Sequence, residues 1–112
     1  MSTFTRSRLP HRRMRPAVLL AAMAVVLPAA AQNAHLARNL AATCANCHGT
    51  NGQAKGDMKP LAGVAADKIV AMMADFKSGN QPATIMHQIA KGYTDEQIRL
   101  VAGYFAAQPA KP

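Results

Sequence analysis

The sequence contains no tryptophan, and phenylalanine and tyrosine together contribute only five of its 112 residues. Half of the residues are hydrophobic, but many of these are alanines, which bury little area each. A small domain buries a low fraction of its surface and usually needs a disulfide, a metal or another staple. The sequence therefore predicts that something other than side chains fills the middle of the fold.

Acidic residues are absent from the amino-terminal segment, and no apolar run is long enough to cross a membrane. Residues 1–15 contain five arginines, and the apolar run 17–27 is followed by Pro28 and small residues up to Ala31. A membrane span needs about 20 apolar residues, whereas a basic head, a short apolar middle and an A-x-A site are typical of a secretory signal peptide. We expect residues 1–31 to be a signal peptide cleaved near Ala31, leaving a periplasmic domain of residues 32–112 without stable membrane insertion.

Most of the positive net charge of the chain comes from this leader. The formal net charge of the whole chain is +8. Without the five arginines of the leader it is +3, since all the acidic residues lie in the later domain. Proteins that bind nucleic acid cluster Lys and Arg on one face. So mild a charge gives no reason to expect a nucleic-acid partner.

Cysteine is also scarce, and the only two, Cys44 and Cys47, lie three positions apart. An exported protein with two cysteines would ordinarily form one disulfide. A bridge between these two closes so short a loop that it removes little entropy from the unfolded chain. The spacing therefore argues against a structural disulfide.

Residues 44–48 read C-A-N-C-H, which is the C-x-x-C-H attachment site of a c-type haem. Positions i and i+3 project to the same side of a helical turn, so Cys44 and Cys47 can both form thioethers with one edge of a porphyrin. His48 can then present its Nε2 atom to the iron. A thioredoxin-like pair would need a preceding strand, and a zinc site would need further ligands at suitable spacing, which His35 and His87 do not supply. The motif predicts one covalently bound haem c.

The periodicity of the remaining domain predicts helices and no strand. The first helix is expected over residues 33–43 with Asn33 as its N-cap, followed by a glycine-rich loop over residues 49–63. A second helix is expected over residues 65–77, ended by Gly79 in a left-handed cap.

The carboxy-terminal part of the domain has the clearest helix signal. Residues 81–93 are expected to be partly helical. Thr94 and Gln97 then form a capping box that starts a final helix, which Pro109 stops. The fold class predicted by these patterns is all-α.

The second axial position of the iron needs a ligand from far along the chain. Met86 follows His48 by 38 residues and lies in an irregular stretch before the last helix, so it is the expected ligand. The adjacent His87 is the main competitor, which would give bis-histidine ligation. The other candidates in the domain are Met58, in the loop, Met72 and Met73, expected in the core, and His35, before the motif.

A helix, C-x-x-C-H, a proline twelve residues on, a distal methionine and a closing amphipathic helix resemble class I cytochromes c. The stretches "LAATCANCHGTNG", "DFKSG" and "PATIMHQIAKGYTDEQI" resemble the cytochrome subunits of flavocytochrome c sulfide dehydrogenases. This resemblance implies a small fold of three to five helices wrapped around one haem c. It also implies that the first and last helices cross near the haem edge, with Leu36, Ala37 and Leu40 against Val101, Tyr104 and Phe105.

The resemblance also implies roles for single residues. It makes Met86 the distal ligand and Pro60 the residue whose carbonyl supports His48. The chain departs from the family here, because Pro60 directly precedes Leu61 whereas the family usually has one residue between them. The implied partner is a flavoprotein subunit that oxidises sulfide and passes electrons to this haem.

The expected function is single-electron transfer, without catalysis by this chain. The first hypothesis is the cytochrome subunit of a sulfide-oxidising flavoprotein dehydrogenase. The alternative is a free monohaem cytochrome that carries electrons between respiratory or photosynthetic complexes. An enzyme or gas sensor would need an open haem face. Lysines that could rim the haem crevice and steer an acidic redox partner, or simply be solvated, are Lys55, Lys59, Lys77 and Lys91.

Overall fold

The computed structural model describes residues 29–111, which form five α-helices and one short 3₁₀ turn. Within this range there is no strand, so the all-α prediction is confirmed. The predicted signal peptide lies outside the described residues except for its last three. The helices are α1 (Ala29–Ala42), α2 (Ala45–His48), α3 (Ala66–Ser78), α4 (Met86–Lys91) and α5 (Asp95–Ala106), with the 3₁₀ turn at Thr50–Gly52.

Helix α5 begins as its sequence predicts. The Thr94 hydroxyl accepts a hydrogen bond from the Gln97 amide at 3.2 Å, and the Gln97 side chain accepts one from the Thr94 amide at 2.9 Å. Asp95 and Glu96 lie in the first turn, where the helix dipole favours negative charge. The predicted capping box is confirmed.

Helix α3 also agrees with its predicted limits to within one residue. Ile69 is buried, and Met72, Met73 and Phe76 on the same face are half-buried. Gly79 follows the helix with φ 81° and ψ 6°, the left-handed conformation expected of a glycine C-cap.

The predicted start of α1 is wrong. Asn33 lies inside the helix, exposed, and does not cap it, since α1 already includes Ala29. The residues before Asn33 are mainly alanine, the residue with the highest helix propensity, so the helix continues through this position.

The core lies where α1 and α5 pack against each other and against α3. Its buried members are Ala41, Ile69, Val101, Ala102 and Phe105. The crossing of the first and last helices is therefore present, and the α1 residues of the implied contact are buried to different degrees. Leu36 is 47% exposed, while Ala37 is only 7% exposed. The buried stripe of α1 consists of Ala37 and Ala41, four residues apart on one face, and Leu36 lies beside it.

None of the helices within residues 29–111 combines the length and the apolar character that a membrane span requires.

Candidate haem-binding site

The two cysteines lie where α1 passes into α2. The Cys44 amide donates to the Ala41 carbonyl at 3.1 Å, and the amides of Cys47 and His48 donate to the Cys44 carbonyl at 3.3 and 2.9 Å. The motif is thus wound as a helical turn, as its spacing predicts. Cys44 is half-buried and Cys47 exposed, and neither forms a disulfide.

Burial raises the pKa of the Cys44 thiol, and a backbone hydrogen bond offsets part of this rise. Because the thiolate is the reactive form of cysteine, burial makes the Cys44 thiol less reactive than a solvent-exposed cysteine.

His48 makes one short hydrogen bond through its ring. Its Nδ1 atom lies 2.7 Å from the carbonyl oxygen of Lys59. A carbonyl oxygen can only accept, so Nδ1 donates the proton, and in the neutral ring Nε2 then keeps its lone pair. This is the tautomer that a metal-binding histidine needs, and the partner carbonyl fixes the orientation of the ring.

The carbonyl on His48 belongs to Lys59 and not, as the family pattern implied, to Pro60. The implied role of Pro60 is therefore corrected. The reason is the spacing to Leu61. The bonded carbonyl lies two residues before Leu61, and in this chain, which lacks the residue that the family usually has between proline and leucine, that position is Lys59 and not Pro60. Pro60 still contributes indirectly, because a proline restricts the preceding residue to extended conformations and so limits where the Lys59 carbonyl can point.

Cys44, Cys47 and His48 line a cavity of about 840 Å³, within the range of roughly 300–1,000 Å³ usual for small-molecule and cofactor sites. Its walls come from the loop after α2, from α3, from α4 and the segment before it, and from α5. Most of the lining side chains are apolar. They include Met58, Met72, Met73 and Met86, as well as Phe76, Ile85, Ile89, Val101 and Phe105.

The structure brings together most of the residues that the sequence singled out. Cys44, Cys47, His48, Pro60 and Met86 all line the cavity. Met72 and Met73, expected in the core, pack against the buried cluster and line the cavity as well. The competing histidines, His35 and His87, are not among its lining residues.

Two lysines line the cavity. One is Lys59, among the four that could rim the crevice, and the other is Lys68, which was not among them. Lys77 instead forms an ion pair with Asp95 at 3.1 Å. Lysines in exposed loops and helices follow no periodic pattern. The sequence therefore could not show which of them line the cavity and which form an ion pair.

A polar contact at the cavity wall was also missed. The hydroxyl of Tyr93 donates to the Thr43 Oγ1 atom at 3.0 Å, and Thr43 donates to the Leu40 carbonyl at 3.1 Å. Tyr93 and Thr43 both line the cavity, and this contact connects the residue before Cys44 to the segment before α5. Their separation of 50 residues leaves no local pattern that could have revealed it.

The side chains present fit a haem. Two cysteines on one helical turn can form two thioethers, His48 has the correct free nitrogen, and the walls are apolar enough for a porphyrin. Further neutral sulfur ligands line the same cavity. This donor set, soft sulfur with imidazole, is one that suits iron in a porphyrin.

Comparison with known proteins gives the same assignment. The cytochrome c family model matches residues 35–108. The chain is 41% identical over 66 residues to the "Cytochrome subunit of sulfide dehydrogenase" of Chlorobaculum tepidum, covering 59% of this chain and 60% of that protein. It is 38% identical over 72 residues to the "Thiosulfate dehydrogenase electron acceptor" of Stutzerimonas stutzeri, covering 62% of this chain and 33% of that protein.

A third relative matches over most of its own length. The "Cytochrome c-554(548)" of Halomonas halodenitrificans is 33% identical over 70 residues, covering 59% of this chain and 84% of that protein. The chain spans less than two thirds of the length of the first two relatives. With the family model matching most of the chain, and with C-x-x-C-H beside an apolar cavity, the chain belongs to the cytochrome c family and is an electron carrier with covalently bound haem c.

Proposed function

We propose that this chain transfers single electrons through a haem whose iron has His48 and Met86 as axial ligands. The observation that carries the proposal is the shared cavity. Cys44, Cys47, His48 and Met86 line the same apolar space although Met86 comes from another helix. Cys44 and Cys47 would attach the porphyrin through thioethers.

The choice of Met86 is supported by the surroundings of the other methionines. Met58 directly precedes Lys59, whose carbonyl bonds Nδ1 of His48. Met58 is therefore part of the loop that this hydrogen bond ties to His48. Met72 and Met73 pack against the buried cluster from α3. Met86 is half-buried at the start of α4 and has neither of these roles.

Haem c supplies reversible one-electron exchange between ferric and ferrous iron. The protein determines which state is favoured and what else can reach the metal. A methionine thioether is soft and neutral, so His/Met ligation raises the reduction potential relative to two histidines. If His48 and Met86 both bound the iron, no position would be open for oxygen or peroxide, and outer-sphere electron transfer would be the reaction left.

The ligands can be tested by visible spectroscopy. The ferric protein should show the weak absorption band at the red end of the spectrum that iron–methionine sulfur ligation produces. Met86→Ala should abolish it, whereas the matched variants Met58→Ala and His87→Ala should retain it. Rapid carbon monoxide binding by the unaltered ferrous protein would show that an axial position is open and refute the assignment.

We further propose that residues 1–31 are a signal peptide and that residues 32–112 function in the periplasm. The support is the arginine-rich head, the short apolar run and the small residues before Gln32. Production in cells that mature c-type cytochromes should yield a red periplasmic protein. Its intact mass should equal residues 32–112 plus one haem. A mass that retains the leader, or recovery of the coloured protein from the cytoplasm, would contradict this.

As its place in metabolism, we propose the cytochrome subunit of a dehydrogenase whose flavoprotein partner oxidises sulfide. The support is the similarity to the sulfide dehydrogenase subunit of Chlorobaculum tepidum.

The alternative, a free carrier between complexes, is favoured by the match to most of the length of cytochrome c-554(548). Purification from the native host separates the two. Elution as a stable complex with a flavin-containing protein, together with haem reduction on addition of sulfide, supports the subunit. The free carrier is supported if the protein elutes as a lone monomer and if the flavin-containing fraction does not speed the reduction of its haem by sulfide.

A further inference from the structure

Helix α5 is connected to both ends of the loop that carries the His48 hydrogen-bond partner. The hydroxyl of Tyr104 donates to the Oδ1 atom of Asn51 at 2.7 Å, before the loop. The backbone carbonyl of the next residue, Phe105, accepts from the Gly63 amide at 2.9 Å, after the loop. These two contacts join segments that are more than 40 residues apart in the chain.

Asn51 is held in a conformation that side-chain-bearing residues seldom adopt. Its φ of 57° is the only positive φ outside glycine among residues 29–111. Asparagine tolerates this region better than most residues because its short polar side chain can make local hydrogen bonds. Here the side-chain oxygen accepts from Tyr104 instead, and so fixes the turn from outside.

The residue after Asn51 closes the loop that carries the Lys59 carbonyl. Gly52, the next residue, accepts hydrogen bonds through its carbonyl from the amides of Leu61 and Ala62, at 2.9 and 3.1 Å. These bonds close the loop over residues 53–60. The closed loop presents the Lys59 carbonyl to Nδ1 of His48 at 2.7 Å.

We propose that Tyr104 is a positioning residue for the proximal histidine, acting through Asn51 and the loop that carries the Lys59 carbonyl. This inference rests on the proposed ligation of iron by His48. A hydrogen bond from Nδ1 to a carbonyl makes an imidazole a stronger electron donor to a metal bound at Nε2, and a stronger donor favours ferric iron. Loosening the loop should therefore weaken this bond and raise the reduction potential.

The test is Tyr104→Phe, which removes the hydroxyl and leaves the ring beside Phe105. Loss of a direct partner of a metal-binding histidine costs about 10- to 100-fold in metal affinity or activity. Tyr104 acts on His48 only through Asn51 and the loop, so we expect loss of its hydroxyl to have a smaller effect and to shift the ferric–ferrous equilibrium about threefold toward ferrous iron. That corresponds to about 30 mV by protein-film voltammetry, at 59 mV per tenfold for one electron. Hydrogen exchange of the His48 Nδ1 proton, followed by NMR in the ferrous protein, should become several-fold faster.

Two further variants separate positioning from general destabilisation. Asn51→Gly removes the acceptor but retains a residue suited to positive φ, so it should shift the potential as Tyr104→Phe does. The double variant should add no further shift, because both changes break the same contact. Gln97→Ala weakens the capping box of the same helix without touching the loop. It should lower stability and leave the potential unchanged.

The outcomes distinguish this inference from the ligation on which it rests. The ring-proton shifts of His48 in the ferrous wild-type protein report whether it binds the iron. If they do not indicate axial binding, the proposed ligation fails. If they do, and Tyr104→Phe and Asn51→Gly leave the potential and the Nδ1 exchange unchanged, the positioning role alone is refuted. An equal shift in Gln97→Ala, or additive shifts in the double variant, would also refute it.

Discussion

Replacing Gly52 by alanine tests how closely the 3₁₀ turn after the C-x-x-C-H motif packs against the core. Gly52 is buried with φ 77°. A Cβ atom there would lie 2.7 Å from the amide nitrogen of Ala62, 2.8 Å from a ring carbon of Phe105 and 3.0 Å from Leu61. The first contact is with backbone, which cannot rotate away.

The expected loss of stability has two parts. A left-handed conformation costs a residue with a Cβ atom about 1–2 kcal/mol, and a lower entropy of the unfolded chain offsets about 0.4–1 kcal/mol of this. Overpacking a well-packed site adds about 1–3 kcal/mol. Gly52→Ala should therefore lower the free energy of unfolding by about 2–4 kcal/mol.

Gly56→Ala is the matched control. Gly56 also has a positive φ, 65°, but a Cβ atom there would meet nothing within 4 Å. Only the conformational part applies, so we expect a loss of about 1 kcal/mol. The difference between the two variants measures the steric contact by itself.

Urea unfolding of the ferric holoprotein, followed by far-UV circular dichroism, measures both values if the slopes of the transitions agree. Equal losses for Gly52→Ala and Gly56→Ala would refute the reasoning. They would mean that the backbone of residues 61–62 moves away without cost, and that the turn is not held against α5 as the structure has it.

Four other substitutions test the helices and one side-chain hydrogen bond by the same urea titration. Thr94→Ala removes one half of the capping box and should cost about 1 kcal/mol; an unchanged midpoint would mean that the cap adds nothing to α5. Ala41→Leu places a larger side chain into the crossing of α1 and α5 and should cost about 1–3 kcal/mol. Leu36→Ala on the exposed side of α1 should cost clearly less, and the reverse order would contradict the assigned buried stripe. Tyr93→Phe removes the hydrogen bond to Thr43 and should cost about 0.5–1.5 kcal/mol, with no loss indicating that this contact is not formed in solution.

Local sequence signals predicted the helix boundaries well where a specific chemical group defines them. The capping box of Thr94 and Gln97 and the left-handed Gly79 are both observed. Asn33 shows the limit of such signals. A residue able to cap a helix does so only where the chain before it leaves the helix, and the alanines before Asn33 do not.

The residues of the candidate site that are neighbours in the sequence were predictable, and the contacts made by distant segments of the chain were less so. C-x-x-C-H identified three neighbouring residues, because their chemistry depends only on short spacing. The carbonyl that bonds His48 was assigned one residue too late, since a backbone acceptor has no side-chain signal and its register depends on how the loop closes. The contacts of Tyr93 and Tyr104 depend on tertiary packing across 50 or more residues, so no pattern in one sequence could have indicated them.

The residues suited to attachment and those that complete the enclosure belong to different segments of the chain. Cys44, Cys47 and His48 lie together at the end of α1 and in α2, whereas much of the opposite wall comes from the segment at α4 and from α5. If the carboxy-terminal segment transiently detached, the porphyrin would stay bonded to its two sulfurs and could not diffuse away. Recovery would then need only the return of that segment and no second capture of the cofactor. A fold with so few aromatic side chains can therefore open without losing the haem at its centre.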